Sequence, residues 1–323
     1  QRLLQADGPD FTCSPLVYFT RNPHELPGGG WTWSLSPAVD SARPAGKAYF
    51  GEDDFGPPDG IGLSTWIGAS NTAEDVALIQ HNFAFTLCKG QNQWWYDLRG
   101  HDYESPERLQ TLKECAQIAR EALERDRSTV SEVAVVMDEK TPMLVQLDLE
   151  FQRSLFWRNF FDSFARIGAP VDLFLLSSLG QADLSRYKII FFPTCFSLST
   201  TDRERIQRLK SGGRTLVFYQ ADGFIDPESD QPFDLERICA LTGITVRADE
   251  TRQHSLLRMS TVDAGPFVQG FADQPFGLRD EKILNFYVQD PQAEPIAHLY
   301  GRGAVGMARK TFPEWTSIYT AMP

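Results

Sequence analysis

The chain has 323 residues, 42% hydrophobic and 23% charged, a balance that excludes a mostly disordered polypeptide. One compact unit rarely exceeds about 250–300 residues, so the length predicts two domains. With 31 Lys and Arg against 43 Asp and Glu the net charge is −12, which argues against a nucleic-acid partner, and no apolar run of about 18 residues predicts a membrane span.

Residues 9–19 read as a strand running into a loop that carries Tyr18, Arg21, Gly28-Gly29-Gly30, Trp31 and Trp33. Residues 47–53 (KAYFGED) form a short apolar strand that ends in acids. A helix is predicted over 72–89, with Thr72 and Asp75 at capping-box spacing and Gly90 as its stop. Another short strand, 93–98 (QWWYDL), precedes a helix over 105–127, which has Pro106 in its first turn and an apolar stripe of Leu109, Leu112, Cys115, Ile118, Ala119 and Ala122. Short strands with long aromatic loops at their C-terminal ends suggest a parallel α/β barrel, whose reactive groups sit on that face.

The pattern changes near Asp126. Apolar strands at 131–137, 171–176, 187–192 and 214–219 alternate with helices at 144–167 and 201–211, the latter stopped by Gly212-Gly213. Continuous apolar strands between helices predict a parallel sheet covered on both faces, hence a second, doubly wound α/β domain. Further on, 283–288 and 315–321 read as strands flanking an AEPIAHLY strand.

Glu52-Asp53-Asp54 stands at the end of the strand 47–53. Alternation along a strand puts Glu52 and Asp54 on one face and Asp53 on the other. The run is either a solvated acidic turn or a carboxylate cluster at a barrel mouth, suited to glycoside chemistry or a hard cation. Trp94-Trp95-Tyr96-Asp97 has a related placement; its aromatics are either core or a platform for the C–H faces of sugars. Trp31, Trp33 and Tyr18 point toward sugar binding, because loops run over the surface.

Cys195, in FFPTCFSLS, follows a strand as an amidotransferase nucleophile would, but lacks the glycines of a tight elbow and a following His-x-Glu, so a buried thiol is expected. The cysteines (Cys13, Cys88, Cys115, Cys195, Cys239) are odd in number and include no C-x-x-C pair, which predicts free thiols. The histidines have no i, i+4 pair, so no zinc motif is expected. The first residue is Gln1 instead of Met, and the sequence reads as cut at both ends, which leaves the compartment open.

Several stretches in order resemble the clan that contains the family 42 glycoside hydrolases, the β-galactosidases: FTCSPLVYFTR with its GGG loop, GKAYFGEDD, KGQNQWWYDL, then RDRSTVSEVAVVMDE, YKIIFFPTCFSLSTTDRERIQRLKSGGRTLVFYQADGFID and FPEWTSIYTAMP. The resemblance implies the C-terminal portion of a (β/α)8 TIM barrel over 1–127, equivalent to strands six to eight, followed over 128–323 by a doubly wound, class I glutamine amidotransferase-like (flavodoxin-like) trimerisation domain. It implies a retaining hydrolase of a β-galactoside-like substrate, without cofactor or metal, assembled as a homo-oligomer, a trimer. Glu52 takes the place of the nucleophile. The acid/base Glu of strand four should lie upstream of Gln1 and has no counterpart here, so the chain alone is expected to be inactive. Tyr18, Arg21, Trp31, Trp33, Asp54, Trp94, Trp95 and Asp97 become substrate contacts. The rival expectation is a non-catalytic carbohydrate-binding or oligomerisation protein with a degenerate barrel. In that case the helix 144–167, with Phe151, Leu155, Phe156, Trp157, Phe160, Phe161 and Phe164, would pack partly on another subunit.

Overall fold

In the computed structural model, residues 4, 6–16, 37–54, 56, 69, 71–97, 100–144, 163–164, 167–259 and 275–322 are described, with backbone alone at 37–38, 250–256, 259 and 278–284. The chain forms two compact units, Gln1–Val130 with Phe161–Gly168, and Ser131–Phe160 with Ala169–Pro323.

The first unit holds three parallel strands, β1 (Phe11–Pro15), β2 (Ala48–Asp53) and β3 (Asn92–Trp95), in that order across the sheet. Among the described residues its helices are α1 (Pro37–Ala42), α2 (Thr72–Cys88) and α3 (Pro106–Leu123). The cap of α2 falls one residue before the predicted Thr72. Asn71 is extended, and its side chain accepts a hydrogen bond from the Glu74 amide at 3.0 Å. Gly90, at φ +62°, follows its last turn. Ile79 and Phe83 of α2 bury against Cys115 of α3, with Leu112 and Ala119 beside them.

Only part of the expected stripe on α3 packs: Leu112, Cys115 and Ala119 face α2. Arg108, Thr111 and Cys115 are the buried positions, whereas Leu109 and Ile118 are exposed. The reason is a buried ion pair: Arg108 Nε lies 3.0 Å from Asp75 Oδ2 of α2, with both side chains out of solvent. The Arg108 guanidinium also donates to the Asp102 carbonyl and sits 4.6 Å above the Tyr103 ring.

The second unit is built on a nine-stranded sheet. Its strands are β4 (Val133–Met137), β5 (Val171–Leu175), β6 (Ile189–Phe192), β7 (Arg214–Tyr219), β8 (Val246–Met259), β9 (Pro275–Val288), β10 (Glu294–Leu299), β11 (Val305–Thr311) and β12 (Trp315–Thr320). Among the described residues its α-helices are α4 (Thr141–Leu144), α5 (Thr200–Leu209) and α6 (Leu235–Thr242). Strands β5-β4-β6-β7-β12 are mutually parallel. The sheet then continues through antiparallel β11, β9, β8 and β10, and β10 also pairs with β11, which closes those four strands on themselves.

The four apolar strands expected to be parallel are parallel, but the sheet as a whole is mixed, and β8 and β11 were not expected from the sequence. The sequence of β8, VRADETRQHSLLRM, has no apolar run to announce it. Antiparallel pairing with the 14-residue β9 on one side and β10 on the other makes it a strand. By contrast Val135, Val136, Leu173, Ile190, Phe192, Leu216 and Phe218 are wholly buried, as apolar parallel strands require. Each such side chain contributes about 1.5–3 kcal/mol by leaving water. Ser199 and Asp202 form a reciprocal capping box at the start of α5. Most of the predicted helix 144–167 lies outside the described residues.

Candidate functional site

The first unit's sheet has two unlike faces. Along β2, Tyr49, Gly51 and Asp53 are buried, while Ala48, Phe50 and Glu52 are only half-buried. On the buried side Gly51 is needed for close approach, since a Cβ there would stand 2.9 Å from Leu16 and 3.9 Å from Thr86 of α2. On the open side Phe50 meets Phe11 edge-on at 5.1 Å. Parallel register places Glu52 between Pro15 of β1 and Trp94 of β3.

Hydrogen bonds on both flanks hold the end of β2. The Glu52 carbonyl accepts from the Leu16 amide at 2.9 Å, and the Asp53 carbonyl accepts from the Tyr96 amide and the Tyr103 hydroxyl, each at 2.9 Å. Glu52 is thus presented from a fixed backbone at the C-terminal end of the central strand. Trp94 is 41% exposed, enough to offer a ring face, and lies 5.3 Å from Tyr96 with a 31° tilt. Its indole Nε1 donates to Cys13 Sγ at 3.2 Å, which fixes the ring on the same side of the sheet as Glu52.

The three acids differ in environment. Asp53 is wholly buried, and its Oδ2 accepts from Asn82 Nδ2 at 3.1 Å and Gln93 Nε2 at 3.0 Å. Glu52 keeps its carboxyl partly out of water, and that burial, followed by the charge of Asp54, raises its pKa above the ordinary carboxylate value. Asp54 is half-buried directly beyond the strand. Burial, with the Asp53 charge second, pushes the Tyr103 hydroxyl well above its usual range, so it stays a donor.

Glu52, Asp54 and Trp94 are therefore gathered at one strand end. Trp95 turns to the helix side and packs with Ile79, Phe83 and Cys115. Asp97 closes a turn, its Oδ1 accepting from the amides of Gly100 at 2.6 Å and Asp102 at 3.2 Å. Tyr18, Arg21, Trp31 and Trp33 lie outside the described residues. The amides Asn82 and Gln93, Tyr103 and the Asp75–Arg108 pair went unnoticed in the sequence. The available signal was a polar Asn82 on the apolar face of α2, between Ile79 and Phe83.

Among the described residues no group of three His, Cys, Asp or Glu side chains could hold a metal ion, and no helix is long and apolar enough to cross a membrane. All five cysteines are free thiols. In the second unit Cys195 is wholly buried, with its Sγ 3.6 Å from the Val136 carbonyl. Burial, then the charges of Asp222 and Asp138, drive its thiol pKa well up, the opposite of what a nucleophile requires.

No family model matches the sequence, and no curated protein matches it. Solved structures do. The chain is similar to a β-galactosidase from the psychrophilic Marinomonas ef1, with a TM-score of 0.61 and 14% identity over 97% of this chain and 50% of that one. It is similar to Gan42B, a GH42 β-galactosidase from G. stearothermophilus, with a TM-score of 0.55 and 12% identity over 76% of this chain and 37% of that one. The chain shares the GH42 β-galactosidase fold. A third similar structure is the exo-β-1,4-mannosidase Op5Man5 from Opitutaceae bacterium strain TAV5, with a TM-score of 0.56 and 12% identity over 88% of this chain and 49% of that one. The chain thus spans half or less of the length of the structures it matches.

Proposed function

We propose that this chain belongs to a retaining β-glycoside hydrolase of the β-galactosidase-like kind and carries its nucleophile, Glu52. The observation behind this reading is the placement of Glu52: a partly desolvated carboxyl at the C-terminal end of the central parallel strand, on the face that Trp94 lines. The first unit is then the strand six-to-eight portion of a (β/α)8 barrel, over 1–127. The second, over 128–323, is an amidotransferase-like trimerisation domain that joins three copies.

Retaining hydrolysis takes two carboxyl groups about 5–5.5 Å apart. The Glu52 carboxylate attacks the anomeric carbon and forms a glycosyl ester while the other carboxyl protonates the departing oxygen; water, deprotonated by that second group, then cleaves the ester. The second carboxyl is assigned to no residue of this chain. Trp94 offers its ring to the sugar's C–H face, and Asp54 accepts from sugar hydroxyls while raising the Glu52 pKa. Tyr18, Arg21, Trp31 and Trp33, which follow β1 in sequence, belong to the same substrate surface. Trp95 and Asp97 support it from behind, through packing and the turn.

The test is Glu52→Gln in the parent enzyme with a whole barrel. Hydrolysis of an aryl β-galactoside should fall by about 10³-fold or more while substrate binding persists. Normal turnover in that variant would exclude the assignment.

A further inference from the structure

A cleft of about 500 Å³ opens between α5 and α6 of the second unit, and its wall carries Arg203, Arg208 and Lys210 against a single acid, Glu204. The volume is that of a small-molecule site. None of these three cations forms an ion pair among the described residues. Lys210 Nζ has only the Ala240 carbonyl at 3.5 Å and the face of Trp315, 4.9 Å from the ring centroid. Arg203 donates from one nitrogen to the carbonyls of Gly223 and Ile225, and its buried Nε has no partner. The nearby Asp226 carboxylate already faces Arg237, at 3.7 Å. Elsewhere in the same unit cations are neutralised in place: Lys188 by Glu132, Arg205 by Asp202 and Lys310 by Asp290.

In a protein of net charge −12, three cations against one acid on a single wall are an electrostatic exception. Burial alone brings the Lys210 ammonium down to about 8, and burial also lowers the Arg203 guanidinium, against the opposing charges of Asp226 and Asp202. A dianion seated beside them offsets that desolvation, and a guanidinium fork such as that of Arg208 matches phosphate oxygens in bidentate fashion. Ala240 and Leu241 supply apolar wall beside the charges.

We propose that this cleft binds a small organic phosphate monoester, its phosphate held by Arg203, Arg208 and Lys210 and its organic body laid against Ala240 and Leu241. The site lies wholly within the second unit and does not depend on Glu52 or on glycosidase activity.

The probe is phenyl phosphate, titrated calorimetrically into the 323-residue chain at neutral pH and low salt. Saturable one-to-one binding is expected, tighter than that of inorganic phosphate or benzoate. Arg208→Gln and Lys210→Met should each weaken it by about tenfold or more, and Lys210→Arg should restore most of it. On the unaltered chain, phenyl phosphate should also protect Lys210 from acylation, read residue by residue by mass spectrometry, so a misfolded variant does not decide the matter. Absence of saturable binding, equal affinity for benzoate, or unprotected Lys210 at saturation would overturn the proposal.

Discussion

Glu52, Asp53 and Asp54 are consecutive acids with three different fates, and the strand geometry explains the division. Asp53 points toward α2 and exchanges water for Asn82 and Gln93, while Glu52 points to the open face and loses part of its water without gaining a cation. A raised pKa in the folded state has a definite sign. The carboxyl contributes stability that is complete below its unfolded pKa and is lost as pH rises through the folded value. Glu52→Gln should therefore leave stability at neutral pH unchanged or slightly increased, as thermal melts of the chain can show. For activity, Asp54→Asn removes one cause of the raised pKa, so the acidic limb of the parent enzyme's kcat/KM profile should move to lower pH; an unmoved limb would separate Asp54 from Glu52. At Asp53 the expectation reverses. Asp53→Ala strands two buried amide donors and should cost about 2–4 kcal/mol in urea unfolding.

Among the elements, the parallel strands were readable because burial on both faces demands uninterrupted apolar runs, as in β4, β5, β6 and β7. The acidic end of β2 was readable for a related reason: a strand's period of two fixes which acid turns inward. What could not be read was anything set by a distant partner. The polar β8 becomes a strand against β9 and β10, and α3 buries Arg108 because Asp75 waits on α2, not because its own stripe asks for it. That helix pairing makes a prediction. Arg108→Met or Asp75→Leu alone leaves one charge buried and should cost about 3–5 kcal/mol, whereas the double substitution should recover most of the loss. A double-mutant cycle in urea measures the coupling, and additive losses would show that the pair contributes little to the docking of α2 on α3. Trp95 likewise looked like half of an aromatic platform, yet strand alternation sends it into the α2–α3 core while Trp94 stays on the open face.

For the molecule as a whole, composition supported a folded, acidic protein of two domains, and the chain forms two compact units. The fold it shares with β-galactosidase structures covers half or less of their length, which bears on function more than any residue of the site does. Chemistry that needs two carboxyls cannot run on Glu52 alone, so the 323-residue chain by itself should hydrolyse an aryl β-galactoside no faster than buffer. Appreciable turnover would mean that a second carboxyl of this chain serves as acid/base. The central claim is that Glu52 becomes covalently bound to sugar, and mass spectrometry of the parent enzyme after treatment with a 2-deoxy-2-fluoro-β-galactosyl fluoride tests it directly. The account predicts a glycosyl ester on the peptide containing Glu52, and an ester on any other carboxylate would contradict it.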